Sequence, residues 1–503
     1  YIIEIMSKFY EGEKINLNFL YKETKKNFLL IFLIILFYLF INKFHLQNNN
    51  LFIKGIMISS IFFTLFIFKL KFDKDEFDSN KFIECVIILG FIMRIGYMLY
   101  TPCNIRGHDV GEISENGYGH ATYILTIMKK HMLPNNNQIQ FYQQPFFYIL
   151  GSIISKIVNS ILHKNDLFSL VDAAKIISCF ASCSILLVSK QLFYEIKLNN
   201  SAQKIAIIIL SFLPNFYLMG GRVNCDALAT WFMTLSLLYT IKFYKEQSWN
   251  NIIILAFIYG CAMMTKISCG IMAVFTSVVM IKCLYIHFKN RTFKKIFLKL
   301  SIFSIISFPL GLWFSIRNYI LFNQKFTYVL EQDVNSQLYC GDHSLFSRFC
   351  ILSLKNIFSS PYENPFGDFN YPAYLIKCMA FGEFNLNKTG IVPIMLLFSI
   401  LILVFVFIIS LFFVCKNYKN SKIIIRAMAL IFLFIYLTSI KFNINYPFGC
   451  SMDFRYIEIT AVIGSIFIGE FYELFKSNEF LKISINLVIG TYSIFSILMY
   501  LLI

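Results

Sequence analysis

The chain has 503 residues, 57% of them hydrophobic and only 15% charged, with a mean hydropathy of +0.65. That excludes a soluble globular protein, because repeated apolar runs of about 20 residues read as helices that cross a membrane. The formal net charge of +17 does not point to nucleic acid, since basic residues gather in the loops expected to face the cytoplasm and set orientation.

In chain order, Lys22, Lys25 and Lys26 precede a first span at 28–43, which places the N-terminus in the cytoplasm. No small-residue cleavage site follows that run, so it reads as a retained span. Spans at 51–70 and 82–100 carry the chain out to a polar stretch, 101–144. Within it, 113–131 has mixed polarity and reads as an amphipathic helix lying at the interface. The next apolar run, 146–162, is barely long enough to cross.

Charge decides against a crossing there. The loop 287–295 holds His287, Lys289, Arg291, Lys294 and Lys295 with no acid, and 416–422 holds three lysines. Both loops belong inside, which requires 146–162 to remain at the surface. Further spans are expected at 172–194, 203–220, 227–244, 252–266, 267–286, 296–321, 389–415, 422–441, 453–473 and 481–502. The expected fold is therefore an all-α polytopic membrane protein of about thirteen transmembrane helices, with juxtamembrane helices in the first external loop. Residues 1–81 form two additional N-terminal helices, and 82–503 a single membrane domain with external loops 101–171 and 322–388. The expected setting is an integral position in a plasma membrane. Of thirteen cysteines, Cys103, Cys340, Cys350 and Cys450 fall in external loops where a disulfide can form, but no spacing compels one.

On that topology the notable polar clusters share the outer face. Asp109 lies in the first loop with His108, Glu112 and His120 nearby. Arg222, Asn224 and Asp226 occupy the turn 220–227, Lys266 stands between two apolar runs, and Arg317 ends a span. Glu383 sits in the large loop, while Asp453 and Arg455 open a late span. Ionisable groups on one side suggest a site for a polar headgroup rather than a path through the bilayer. Each residue also has a plainer reading. Asp109 alone is a solvated loop acid, Asp226 the first-turn acid of a helix, Lys266 a snorkelling lysine, and Arg317 and Tyr142 are interfacial anchors. A His/Asp/Glu group such as Asp109, Glu112 and His120 can hold a divalent cation, although this spacing is no metal signature. No other cofactor is indicated.

The order R-x5-YTP, RGHDVGE, GYGHATYI and FYQQPFFYIL, followed by LPNFYLMGGRVNCDAL, GCAMMTKIS, FGEF and DFRYIE, resembles the GT-C superfamily of integral membrane glycosyltransferases. Its closest likeness is to the bacterial protein O-mannosyltransferase and aminoarabinose transferase group, over roughly 82–475. The resemblance implies spans and surface helices around a cavity open to the outer leaflet, with 146–162 as a juxtamembrane helix. It also implies Asp109 and Asp226 as the catalytic acids and a polyprenyl-phosphate sugar as donor. Two departures stand out: His108-Asp109 replaces an acidic pair, and Gln143-Gln144-Pro145 replaces a proline-rich turn.

The expected activity is an inverting hexosyl or pentosyl transfer with Asp109 as general base. Arg455, Arg222, Lys266 and Arg317 are expected on the donor phosphate. His108, Glu112, His120, Tyr142, Gln144, Asn224, Glu383 and Asp453 are expected around the substrate. The acceptor is a lipid, glycan or protein, and membrane lipids surround the chain. The alternatives are a polysaccharide polymerase or ligase using a lipid-diphosphate donor, and a transporter, which predicts broken helices at mid-bilayer and internal repeats that this sequence does not display.

Overall fold

The computed structural model describes residues 17–44, 46, 49–72, 78–107, 109–135, 138–326, 328–330, 332–384, 390–417 and 423–502. His108 and most of the basic loop 416–422 lie outside the described residues. Among the described residues the regular structure is helical. In chain order it comprises α1 (Leu17–Lys43), α2 (Asn50–Phe72), α3 (Ser79–Tyr100), α4 (Gly119–Lys130) and α5 (Phe146–Leu162). Then come α6 (Leu167–Asp172), α7 (Lys175–Glu195), α8 (Asn200–Phe212), α9 (Pro214–Gly220), α10 (Asp226–Lys245) and α11 (Trp249–Thr265). The remainder are α12 (Ala273–Lys289), α13 (Phe293–Phe322), α14 (Leu345–Phe349), α15 (Tyr371–Ala380), α16 (Ile391–Asn417), α17 (Ile423–Asn445), α18 (Ile459–Phe475) and α19 (Glu479–Leu502).

Among the described residues nine helices are long and apolar enough to cross a membrane, or ten if α8 and α9 count as one bent span. Helices stand at all thirteen expected positions, and three of them fall short of that standard for identifiable reasons. The α11 and α18 helices have only 17 residues each, and α10 carries Asp226, Lys242 and Lys245. The span expected at 203–220 is broken by Pro214, which holds Leu213 extended and bends the pair by 49°. The amphipathic helix expected from 113 begins at Gly119 instead. All thirteen cysteines are free.

The centre of the bundle is α7, buried along nearly its whole length, packed on α10, with α18 on α8 beside it. Small polar residues let these helices approach and hold the turns between them. Ser182 donates to the Phe216 carbonyl at 2.7 Å, and Ser178 to the Asn224 carbonyl at 3.2 Å. Arg94 of α3 is wholly buried, and among the described residues no carboxylate pairs with it. Its guanidinium donates to Ser182 Oγ, to the Gly90 carbonyl one turn back in α3, and to the carbonyls of Leu210 and Ser211, which the Pro214 break frees from helical pairing. One buried arginine thus fastens α3, α7 and the α8–α9 corner, and that corner leads directly to Asp226.

Candidate active site

The first loop is set by backbone geometry. Asp109 has φ +53° and Gly111 φ +75°. His120 N–H donates to the Asp109 carbonyl at 3.0 Å, and Ala121 N–H to that of Val110 at 2.9 Å. These two donors belong to the first turn of α4, where helical partners are lacking. The helix start therefore pins Asp109 from behind and leaves its side chain 42% exposed. Gly111 and Gly119 approach too closely for any side chain: a Cβ on Gly119 would lie 2.6 Å from the Gly111 Cα.

Three other segments bring their charges to this point. Asp226 occupies the first turn of α10, where the helix dipole favours an acid, and its N–H bonds the Asn224 carboxamide at 3.2 Å. Lys266, between α11 and a 3₁₀ turn, forms an ion pair with Asp226. Arg455 sits in the 3₁₀ turn Phe454–Ile457 just before α18, with its N–H capped by Asp453 at 3.0 Å. Its guanidinium lies 3.4 Å from each of the carboxylates of Asp109, Asp226 and Asp453. Tyr456 completes the cluster, with its hydroxyl 3.1 Å from Arg455 and its ring 4.6 Å below the Lys266 ammonium.

The cluster lines a polar cavity of about 440 Å³ that also exposes His120, Tyr142 and Asp333. An antiparallel contact closes one wall: Cys340 N–H donates to the Pro447 carbonyl at 2.8 Å, and Gly449 N–H to that of Leu338 at 2.7 Å. The long loop after α13 is thereby fixed to the segment preceding Arg455. A second cavity of about 500 Å³, more apolar, adjoins the first across Tyr142, Lys266 and Tyr456. It runs between α13 and α17 and includes Gln144, whose carboxamide donates to Ser315 at 2.9 Å. Burial pushes the His120 imidazole down to about 4, and its Nδ1 is 2.7 Å from the Tyr148 hydroxyl. His120 is therefore neutral at physiological pH.

Several expected residues stand elsewhere. Glu112 is exposed on the far side of the loop and lines neither cavity. Among the described residues no group of three His, Cys, Asp or Glu side chains is placed to share a metal, so Asp109, Glu112 and His120 do not form the cation site that their order allowed. Arg317 bonds the Pro134 carbonyl and the Asn135 side chain, both at 3.1 Å, and fastens the first loop to α13 instead of entering either cavity. Arg222 is buried against Phe384, and among the described residues two of its guanidinium nitrogens have no hydrogen-bond partner. Glu383 accepts from Tyr374 at 2.6 Å, outside both cavities. Sequence reasoning passed over Gln140, Gln143, Gln332, Tyr362, Tyr446 and Tyr456, all of which line the polar cavity. It also passed over Glu458, buried one turn beyond Asp226's helix start and bonded by Thr230 at 2.8 Å. The tyrosines carried no separable signal, because aromatic residues at a membrane surface are common for other reasons.

The fold and the cluster together define an integral membrane protein with a charged pocket built at helix ends. Residues 144–313 match the family model described as dolichyl-phosphate-mannose-protein mannosyltransferase. This stretch, about a third of the chain, is similar to a membrane glycosyltransferase of the mannosyltransferase type. It contains Asp226 and Lys266, whereas Asp109 precedes it and Arg455 follows it. No curated protein matches the chain.

Proposed function

We propose that the protein transfers a sugar from a polyprenyl-phosphate donor to an acceptor hydroxyl at the outer face of a cell membrane. The observation that carries this reading is the Arg455 guanidinium standing between the exposed carboxylate of Asp109 and the buried, Lys266-paired carboxylate of Asp226. The two carboxylates thus have different surroundings and different tasks. Asp226 holds both cations in place. Asp109, more open to the cavity, is positioned to take a proton.

In the proposed step the acceptor oxygen attacks the anomeric carbon, and its proton passes to Asp109. The bond from that carbon to the phosphate oxygen breaks on the opposite face, so configuration inverts and polyprenyl phosphate leaves with one additional negative charge. Asp109 loses its charge as the phosphate gains one. Arg455 is then free to turn from Asp109 toward the phosphate, where its forked donors suit the oxygens. Lys266 supplies a second cation, and Tyr456 sets the angle of both. The adjoining apolar cavity suits the first isoprene units, with Tyr142, Lys266 and Tyr456 at the boundary where the phosphate would sit.

The decisive experiment gives purified Asp109→Asn protein a panel of labelled polyprenyl-phosphate sugars. A loss of about 10²–10⁴-fold in transfer is expected for removal of a general base. Transfer at near the unmodified rate would remove Asp109 from that role.

A further inference from the structure

A separate concave surface lies away from the charged cluster. It is a groove of about 810 Å³ between the C-terminal part of α1 and the C-terminal end of α5. Its walls are apolar and about half exposed: Leu36 44%, Phe40 48% and Ile161 56%. Its end is basic, formed by Lys43 and Lys164 beside His163, and among the described residues no acidic side chain lines it. The Lys164 ammonium donates to the Asn42 side chain at 3.1 Å, which holds it over the junction of the two helices. Both helices finish at this point, and helix C-termini favour nearby cations.

The charged end has a defined level in the fold. One turn before it, the Tyr38 hydroxyl donates to Asp172 at 2.8 Å, and the same carboxylate accepts the Cys103 N–H at 2.9 Å. The lysines therefore stand level with the start of the first loop, where chain leaves the apolar span α3. From Leu33 to Lys43 the groove follows α1 for about 15 Å. An apolar channel of that depth, capped by two lysines and a histidine, matches one kind of molecule in its surroundings.

We propose that this groove binds an anionic phospholipid, with its phosphate at Lys43 and Lys164 and an acyl chain along Leu36, Phe40 and Ile161. The site is independent of sugar transfer. A bound lipid would join α1 to α5 at their tips, where the Lys164–Asn42 bond already bridges them.

The test is native mass spectrometry of the full chain, released from micelles holding equal amounts of phosphatidylglycerol and phosphatidylcholine with the same acyl chains. Preferential retention of phosphatidylglycerol is expected, falling about fivefold for each lysine removed in Lys43→Gln and Lys164→Gln. Lys43→Arg with Lys164→Arg should keep the preference. Equal retention of the two lipids by the unmodified chain would overturn the proposal, and so would displacement of the bound lipid by inorganic phosphate. Should the glutamine variants fail to fold, Phe40→Trp gives a second readout. Brominated phosphatidylglycerol should quench its fluorescence more than brominated phosphatidylcholine does, and equal quenching would overturn the assignment.

Discussion

Arg455 and Asp226, 229 residues apart in the chain, meet with a guanidinium nitrogen 3.4 Å from a carboxylate oxygen, both side chains almost fully buried. A buried charge pair is costly to assemble and costlier to break, because removing one partner strands the other.

Arg455→Ala should therefore do two things. It leaves Asp226 and Asp453 short of a counter-charge, which costs about 3–5 kcal/mol of stability. It also removes the proposed phosphate ligand, with an expected loss of about 10²–10³-fold in turnover. Arg455→Lys separates the effects: it restores a charge but not the fork, so thermal stability should recover more than transfer does. Equal recovery of both would show that the fork is unimportant.

Lys266 and Asp226 should behave as a unit. A double-mutant cycle with Lys266→Met and Asp226→Asn is expected to give a coupling of about 0.5–3 kcal/mol in unfolding free energy. A coupling near zero would mean that the ion pair contributes nothing to the folded state.

The buried His120 makes a pH statement. Its folded value of about 4 lies below the usual 6.5, so between those values the unfolded chain binds a proton that the folded chain refuses. Stability from this group is complete above about pH 6.5 and is lost as pH falls toward 4, by an amount on the order of 3 kcal/mol. His120→Gln should flatten the thermal midpoint against pH over that interval. An unchanged slope would contradict a neutral, desolvated imidazole.

Gly111 provides a test of the loop itself. Its φ of +75° and the Tyr118 carbonyl 2.1 Å from any added Cβ mean that Gly111→Ala must displace the backbone behind Asp109. Strain of about 1–3 kcal/mol is expected, confined to the loop. Transfer should fall at least about tenfold, since misplacement of a reacting group by about 1 Å can cost 10²-fold. Helix content by circular dichroism should stay unchanged.

Arg94→Leu probes the scaffold. Four hydrogen bonds from one buried guanidinium would be lost, leaving the carbonyls of Leu210 and Ser211 unsatisfied in an apolar setting. A loss of about 3–5 kcal/mol is expected, measured as detergent-dependent thermal inactivation.

Much of this arrangement is legible in the sequence because membranes simplify it. Apolar runs locate the helices. Asp226, Lys266 and Arg455 stood out because each adjoins a run that otherwise excludes charge, and Asp109 because it lies in the polar stretch that follows the third span. Direction within a loop is a different matter. Glu112 is three residues from Asp109, yet it is exposed and does not line the cavity that Asp109 lines. Arg317 is an arginine at a span end like Arg455, and only packing shows that it faces the first loop. Arg94 reads as the start of a motif, but its partners are backbone carbonyls freed by a proline more than a hundred residues later. The short helices α11 and α18 blur the span count, since their polar neighbours belong to the pocket they help to build.

The four central charges each sit at the tip of a helix or in the turn leading to one, and none is mid-helix. Their separations therefore follow the tilts of several rods anchored in a fluid sheet. A thicker or thinner bilayer that re-angles α10 against α18 changes the gap between Asp226 and Arg455 without altering a single bond within either helix. Transfer measured in bilayers of graded acyl length should therefore vary with thickness, through the tilt of these helices.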